Sequence, residues 1–123
     1  MLTYQADGKI LRITLTGDVA LRDVEALCEG VRNDPAVLDS SVVLVDALKA
    51  DVTSKDASPA MRLQALLDGL GPKFSKVCAI IEPTGDRFYG IGVQSAGQRL
   101  GVQIGLFATE EAALKWLAPM MGR

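Results

Sequence analysis

Apolar and polar positions alternate along the chain with two different periods. Leu2 to Gln5 and Ile10 to Thr16 are strand-like runs on either side of an Ala-Asp-Gly-Lys turn, and Asp-Gly between two such runs is a strong hairpin signal. In the second run Leu11, Ile13 and Leu15 alternate with Arg12, Thr14 and Thr16, so one face is buried and the other is wet. The period then lengthens. Val24, Leu27, Cys28 and Val31 fall at i, i+3, i+4 and i+7, the stripe of an amphipathic helix. Asp34-Pro35 closes that helix, because the residue before a proline is pushed out of the helical region.

Val42 to Val45 is apolar on both faces and mostly β-branched, which predicts an interior strand closing at Asp46. A polar stretch, Lys49 to Ala57, leads to Ser58-Pro59, a helix start with serine as N-cap and proline at the first helical position. Leu63, Leu66, Leu67 and Leu70 form the stripe of this second helix, and Gly71-Pro72 stops it. Val77 to Ile81 is a second interior strand, ended by Glu82-Pro83. Asp86 to Gly101 reads as a glycine-weakened third helix and Val102 to Phe107 as a half-buried strand. Thr109-Glu110-Glu111 caps and charges a last helix containing Leu114, Trp116 and Leu117.

The order β-β-α-β-α-β-α-β-α is that of an α/β fold. An N-terminal β-hairpin is followed by β-α units, giving a mostly parallel sheet of about four or five strands packed by about four helices. Fully apolar strands belong in the centre of a sheet, and this places the last four strands in sequence order. Right-handed crossovers in that order put the helices on one face. The other face then needs a cover, from the hairpin, a partner subunit or a ligand, and this is the ground for expecting a homodimer.

Composition narrows the function more by exclusion than by signature. The 123 residues are 49% hydrophobic and 23% charged, which fits one globular domain spanning 1–123. There is no histidine, which removes histidine triads, histidine bases and nearly all zinc sites. Net charge is −2 without a basic run, so no nucleic-acid partner is expected. The N-terminus MLTYQADGKILRITL lacks the pattern of a signal peptide. Val77 to Ile81, the longest strongly apolar run, is far short of the ~20 residues of a membrane span. Cys28 and Cys78 sit among apolar residues, outside any C-x-x-C spacing, and read as buried free thiols suited to a reducing cytoplasm. No nucleophile-plus-base pair is visible, so no enzymatic activity and no cofactor are expected.

Short pieces spread over the whole chain resemble a known family. The hairpin, Leu15-Thr16-Gly17-Asp18-Val19, a helix and then Val43-Leu44-Val45-Asp46 look like the STAS domain, particularly its SpoIIAA-like branch. Arg87-Phe88-Tyr89-Gly90, Gln98-Arg99, Ile104-Gly105-Leu106-Phe107 and Glu110 to Leu117 resemble that branch's closing strand and last helix. The resemblance implies a bacterial, cytoplasmic, often dimeric regulatory module. It would be related to anti-sigma-factor antagonists and act by binding a protein partner such as a sigma-factor regulator or kinase. More distant relatives carry lipids. The alternative reading is therefore a small-molecule or lipid-binding domain, with a hydrophobic ligand near the glycine-rich third helix.

The resemblance also directs attention to particular residues. STAS antagonists start the helix after the Val-Asp strand with an Asp-Ser-Ser-Gly-like motif whose serine is phosphorylated. Here the matching stretch is Asp51-Val52-Thr53-Ser54-Lys55-Asp56-Ala57-Ser58-Pro59, with serines at the right place but no glycine. Ser58 and Ser54 are the candidate phosphorylation positions; the plain reading of Ser58 is an N-cap. Asp46, Arg87, Phe88 and Tyr89 are the candidate ligand or partner contacts, the last three at the rim of a pocket opened by Gly85, Gly90, Gly92, Gly97 and Gly101. Those glycines do not fit G-x-G-x-x-G after a strand, and close helix packing is their simpler purpose. Asp18, Asp46 and Glu82 at strand ends, with Asp51, Asp56 and Asp86 nearby, have the chemistry of a magnesium site, but solvated acids capping helices and balancing Lys49 and Lys55 account for them at lower cost, so no metal is expected.

Overall fold

The computed structural model describes residues 2–17, 19–50, 59–81 and 101–121. Five strands, β1 (Leu2–Asp7), β2 (Ile10–Gly17), β3 (Ser41–Ala50), β4 (Phe74–Ile81) and β5 (Gln103–Phe107), form one sheet in the order β1-β2-β3-β4-β5. β1 runs antiparallel to β2, and the remaining pairs are parallel. The sequence order expected from the apolar centre is therefore the one observed. Three α-helices are described: α1 (Leu21–Arg32), α2 (Pro59–Gly69) and α3 (Glu110–Met121). A 3₁₀ turn, Gly71–Lys73, follows α2 where Gly71-Pro72 was expected to stop it. The predicted third helix, Asp86 to Gly101, lies outside the described residues except for Gly101 itself.

The helix ends form for local reasons. The Asp23 carboxylate of α1 accepts from the Ala20 backbone N–H at 2.9 Å, and at the other end the Asn33 amide donates to the Glu29 carbonyl at 3.0 Å. The Thr109 hydroxyl accepts from the Ala112 N–H at 3.2 Å, the cap expected for the last helix. β3 is longer than its apolar run and does not close at Asp46. Its pairing to β2 continues through Thr16↔Lys49 and Gly17↔Ala50 beyond a register shift after Thr14. Ladder hydrogen bonds come from the backbone, so polar side chains there do not end the strand. β4 likewise starts earlier, at Phe74. Between the Ser41↔Phe74 and Val43↔Cys78 pairs its chain bulges, with Lys76 at φ +68°.

Two separate apolar layers hold the sheet. On one face Leu11, Ile13, Val43, Val45, Cys78 and Ile80 pack with the stripes of α1 and α2. The helices approach closely because Gly69 has no side chain: a Cβ there would lie 2.7 Å from the Cys28 Sγ. On the opposite face Val42, Leu44, Ala79 and Ile81 pack under Ala113 and Leu117 of α3. The Phe107 and Trp116 rings lie 5.5 Å apart over Gly105, where a Cβ would come within 2.7 Å of Phe107. Arg12 of β2 pairs with Glu110 at the start of α3, a partly exposed contact that contributes little to stability.

The position of α3 corrects the expectation that all helices share one face. The crossover rule governs connections between parallel strands of one sheet. α3 follows β5 and is not a crossover between two of the described strands, so the rule does not fix its side, and it packs over the second face. Among the described residues α3 covers the apolar part of that face in β3 and β4, which removes the ground on which the homodimer expectation rested. Leu44 and Ile80, 0% and 2% exposed, sit on opposite faces of adjacent strands. Alanine at either should cost ~2–5 kcal/mol in denaturant melts through lost burial and a cavity. A loss below ~0.5 kcal/mol at both would contradict the two-layer core.

Candidate functional site

The carboxyl ends of β2, β3 and β4 and the beginnings of α1 and α2 meet at one edge of the molecule, the edge where open α/β sheets bind ligands. An apolar cavity opens there between the hairpin, α1, α2 and the sheet, lined by Leu2, Leu15, Val24, Val45, Leu63 and Ile80 among others. One cation stands in this wall. Arg62, in the first turn of α2, is only 7% exposed, and its Nη1 donates to the Val19 carbonyl at 2.6 Å. That bond ties the start of α2 to the segment entering α1. Among the described residues the buried Arg62 Nη2 has no hydrogen-bond partner.

Asp46 is the one predicted site residue that the structure describes. It is half-buried on the face covered by α3, in the register row Thr14, Asp46, Ile81, Phe107, and its Oδ1 accepts from the Leu48 N–H at 3.1 Å. Its carboxylate thus serves the backbone just beyond it. Ser54, Ser58, Arg87, Phe88 and Tyr89 lie outside the described residues, as do Asp18, Asp51, Asp56, Glu82 and Asp86. Among the described residues Asp46 has no companions forming a group of three metal-ligating side chains.

Arg62 escaped the sequence reading, although the signal is there. It precedes Leu66 by four and Leu70 by eight residues, which puts a charge inside the apolar stripe of a helix. Reading the stripe from its leucines alone hides that charge.

The two thiols are chemically quiet. Both are free and buried. Burial pushes the Cys28 thiol above its ordinary range, and its Sγ donates to the Leu66 carbonyl at 3.4 Å. Complete burial pushes Cys78 up to about 12. Neither is a thiolate near neutral pH, so neither is an activated nucleophile. At the hairpin the Tyr4 hydroxyl donates to the Asp34 Oδ2 at 2.7 Å, which raises the phenol and lowers the carboxyl.

Comparison with known proteins locates the fold. No protein-family model matches the sequence, and no curated protein matches it. Solved structures do match. One is an uncharacterized protein of the DUF3478 family with a SpoIIAA-like fold from Shewanella loihica PV-4, at 20% identity and TM-score 0.65, covering 95% of this chain and 92% of that one. Another is an anti-sigma factor antagonist from Mycobacterium paratuberculosis, at 11% identity and TM-score 0.58, covering 96% of this chain and 93% of that one.

The thiols generate a pH prediction. A group raised in the fold leaves stability intact below its unfolded value and removes it as pH climbs toward the folded one. Stability should therefore fall from pH 9.0 upward as Cys28 and Cys78 are forced to ionise, with Tyr4 adding to the fall above 10.0. At the acid end, the lowered Asp34 carboxyl contributes stability that is present above 3.8 and lost as pH falls through its folded value. Urea midpoints across the alkaline range should drop less steeply in Cys78→Ala than in the unaltered chain. Parallel curves would show that the buried thiol does not set the alkaline limit. The chain has a SpoIIAA-like α/β fold, shared over nearly its whole length with an anti-sigma factor antagonist.

Proposed function

We propose that this chain is a non-catalytic, STAS-like regulatory module that acts by binding a protein partner, in the manner of an anti-sigma-factor antagonist. The observation that carries the reading is the end-to-end fold likeness to such an antagonist, with 96% of this chain and 93% of that chain covered. The quiet thiols and the complete lack of histidine support binding over chemistry. Apolar exposure supports a contact surface at the carboxyl edge of the sheet. Leu48, near the end of β3, is 45% exposed, and Met61, in the first turn of α2, is 58% exposed. Buried free thiols also suit a reducing bacterial cytoplasm.

In this reading the partner is a sigma-factor regulator or kinase. Asp46, Arg87, Phe88 and Tyr89 are contact positions, and Ser54 and Ser58, in the segment between β3 and α2, are where a kinase would add phosphate. A phosphate there carries about two negative charges next to a helix start, enough to change what that edge attracts.

The test uses a purified sigma-regulator kinase, with binding followed by titration calorimetry. An equimolar complex should form, weakened about tenfold or more by Leu48→Asp with the melting temperature unchanged. Incubation with the kinase and ATP should place phosphate on Ser54 or Ser58 and release the complex. Absence of any complex, or full binding by both Leu48→Asp and Met61→Asp, would overturn the proposed surface and with it the regulatory reading.

A further inference from the structure

β1 is an outer strand of the sheet, and among the described residues nothing pairs with its outward edge. Proteins ordinarily guard such an edge with lysine, proline, a bulge or a very short strand, because its free backbone groups template another strand. β1 has none of these guards. Its six residues, Leu-Thr-Tyr-Gln-Ala-Asp, contain no lysine or proline. Their register to β2 runs from Leu2↔Leu15 to Asp7↔Ile10 without a shift, and the one charge, Asp7, stands beside the turn. The turn also fixes which backbone groups point outward. Gly8, at φ +59°, opens a two-residue turn, so the closing pair Asp7↔Ile10 exchanges hydrogen bonds. Pairs alternate from there, which leaves the N–H and C=O groups of Leu2, Tyr4 and Ala6 facing away from β2.

The strand that fits this edge is a second copy of β1, antiparallel about a two-fold axis at Tyr4. With Tyr4 opposite Tyr4 of the second copy, Leu2 meets Ala6 and Thr3 meets Gln5. Partly buried side chains then face one another on the α1 side, and exposed polar ones on the other. Leu2, Tyr4 and Ala6 all enter hydrogen-bonded pairs. Sliding the strands by two residues strands Leu2 or Ala6, and one of the two slides sets Asp7 opposite Thr3. In the Tyr4 register the two Asp7 side chains lie at opposite ends of the ladder, and a net charge of −2 offers little repulsion. The central residue is held in place, since the Tyr4 hydroxyl donates to Asp34 and its ring lies over Gly30. Between β1 and α1 a shallow groove of about 590 Å³, lined by Leu2, Thr3, Tyr4, Asp23, Ala26 and Leu27, leaves room for the second copy's side chains. We propose that the chain forms a two-fold dimer through antiparallel β1–β1 pairing, which joins the two sheets into one. The edge of the sheet, not an uncovered face, is the ground for self-association. The carboxyl edges of the two copies then point in opposite directions, so both stay open to other partners. The dimer itself does not rest on the regulatory reading.

Sedimentation equilibrium of the full unaltered chain over a range of concentrations measures the dimer, and amide hydrogen exchange locates it. The Tyr4 and Ala6 N–H groups should gain protection as concentration rises, while those of Thr3 and Gln5, already bonded to β2, should be protected throughout. Two double variants test the register. Thr3→Lys with Gln5→Lys sets like charges opposite each other across the two-fold and should weaken the dimer about tenfold. Thr3→Glu with Gln5→Lys sets opposite charges there and should leave it at least as tight. A monomer at every concentration would overturn the proposal. So would Tyr4 and Ala6 protection that does not depend on concentration, or a dimer equally tight in both double variants. Should a variant fail to fold, the exchange pattern of the unaltered chain still decides. None of these readings needs the regulatory partner, so the dimer and the regulatory function fail separately.

Discussion

β3 and β4 are apolar on both sides. Val43 and Val45 with Cys78 and Ile80 point to one face, and Val42 and Leu44 with Ala79 and Ile81 point to the other; all of them are buried. A strand pair of this kind cannot end at a solvated surface, so the rest of the chain has to supply two covers. α1 and α2 supply the first in the ordinary way, as crossovers between parallel strands. The second comes from α3, which is not a crossover between two of the described strands. Sheet order, helix placement and the close contacts at Gly69 and Gly105 follow from that single constraint.

Much of this was legible along the chain. The hairpin, the stripe Val24, Leu27, Cys28 and Val31, the start of α2 at Pro59 and the central place of β3 and β4 all follow from local period and punctuation. Strand ends were less legible, for a physical reason. Lys49 and Ala50 extend β3 through backbone pairing, and Phe74 begins β4 ahead of a bulge; side-chain pattern reports neither. The side taken by α3 was illegible too, since the pattern Leu114, Trp116, Leu117 shows that a helix has an apolar face but not which sheet face it meets.

The candidate site divides in the same way. Asp46 was singled out as a strand-end acid, and its carboxylate turns out to bind the local backbone at Leu48. Arg62 went unnoticed because its charge is hidden among leucines, yet among the described residues it is the one nearly buried cation in the cavity wall. A charge in an apolar stripe is the more informative signal, because burying it needs a reason that a surface acid does not. The edge that gathers Arg62, Leu48 and Met61 sets exposed apolar side chains beside a nearly buried charge.

The dependence of both strands on the second cover can be measured by native-state amide hydrogen exchange in the unaltered chain and in Leu117→Asp. Because β3 and β4 share one backbone between two layers, removing the α3 contact should lower protection at Val43 to Val45 and Cys78 to Ile80 together, on residues facing α1 and α2 as much as on those facing α3. Protection in β3 and β4 that is unchanged in Leu117→Asp, with loss confined to α3 itself, would contradict the account.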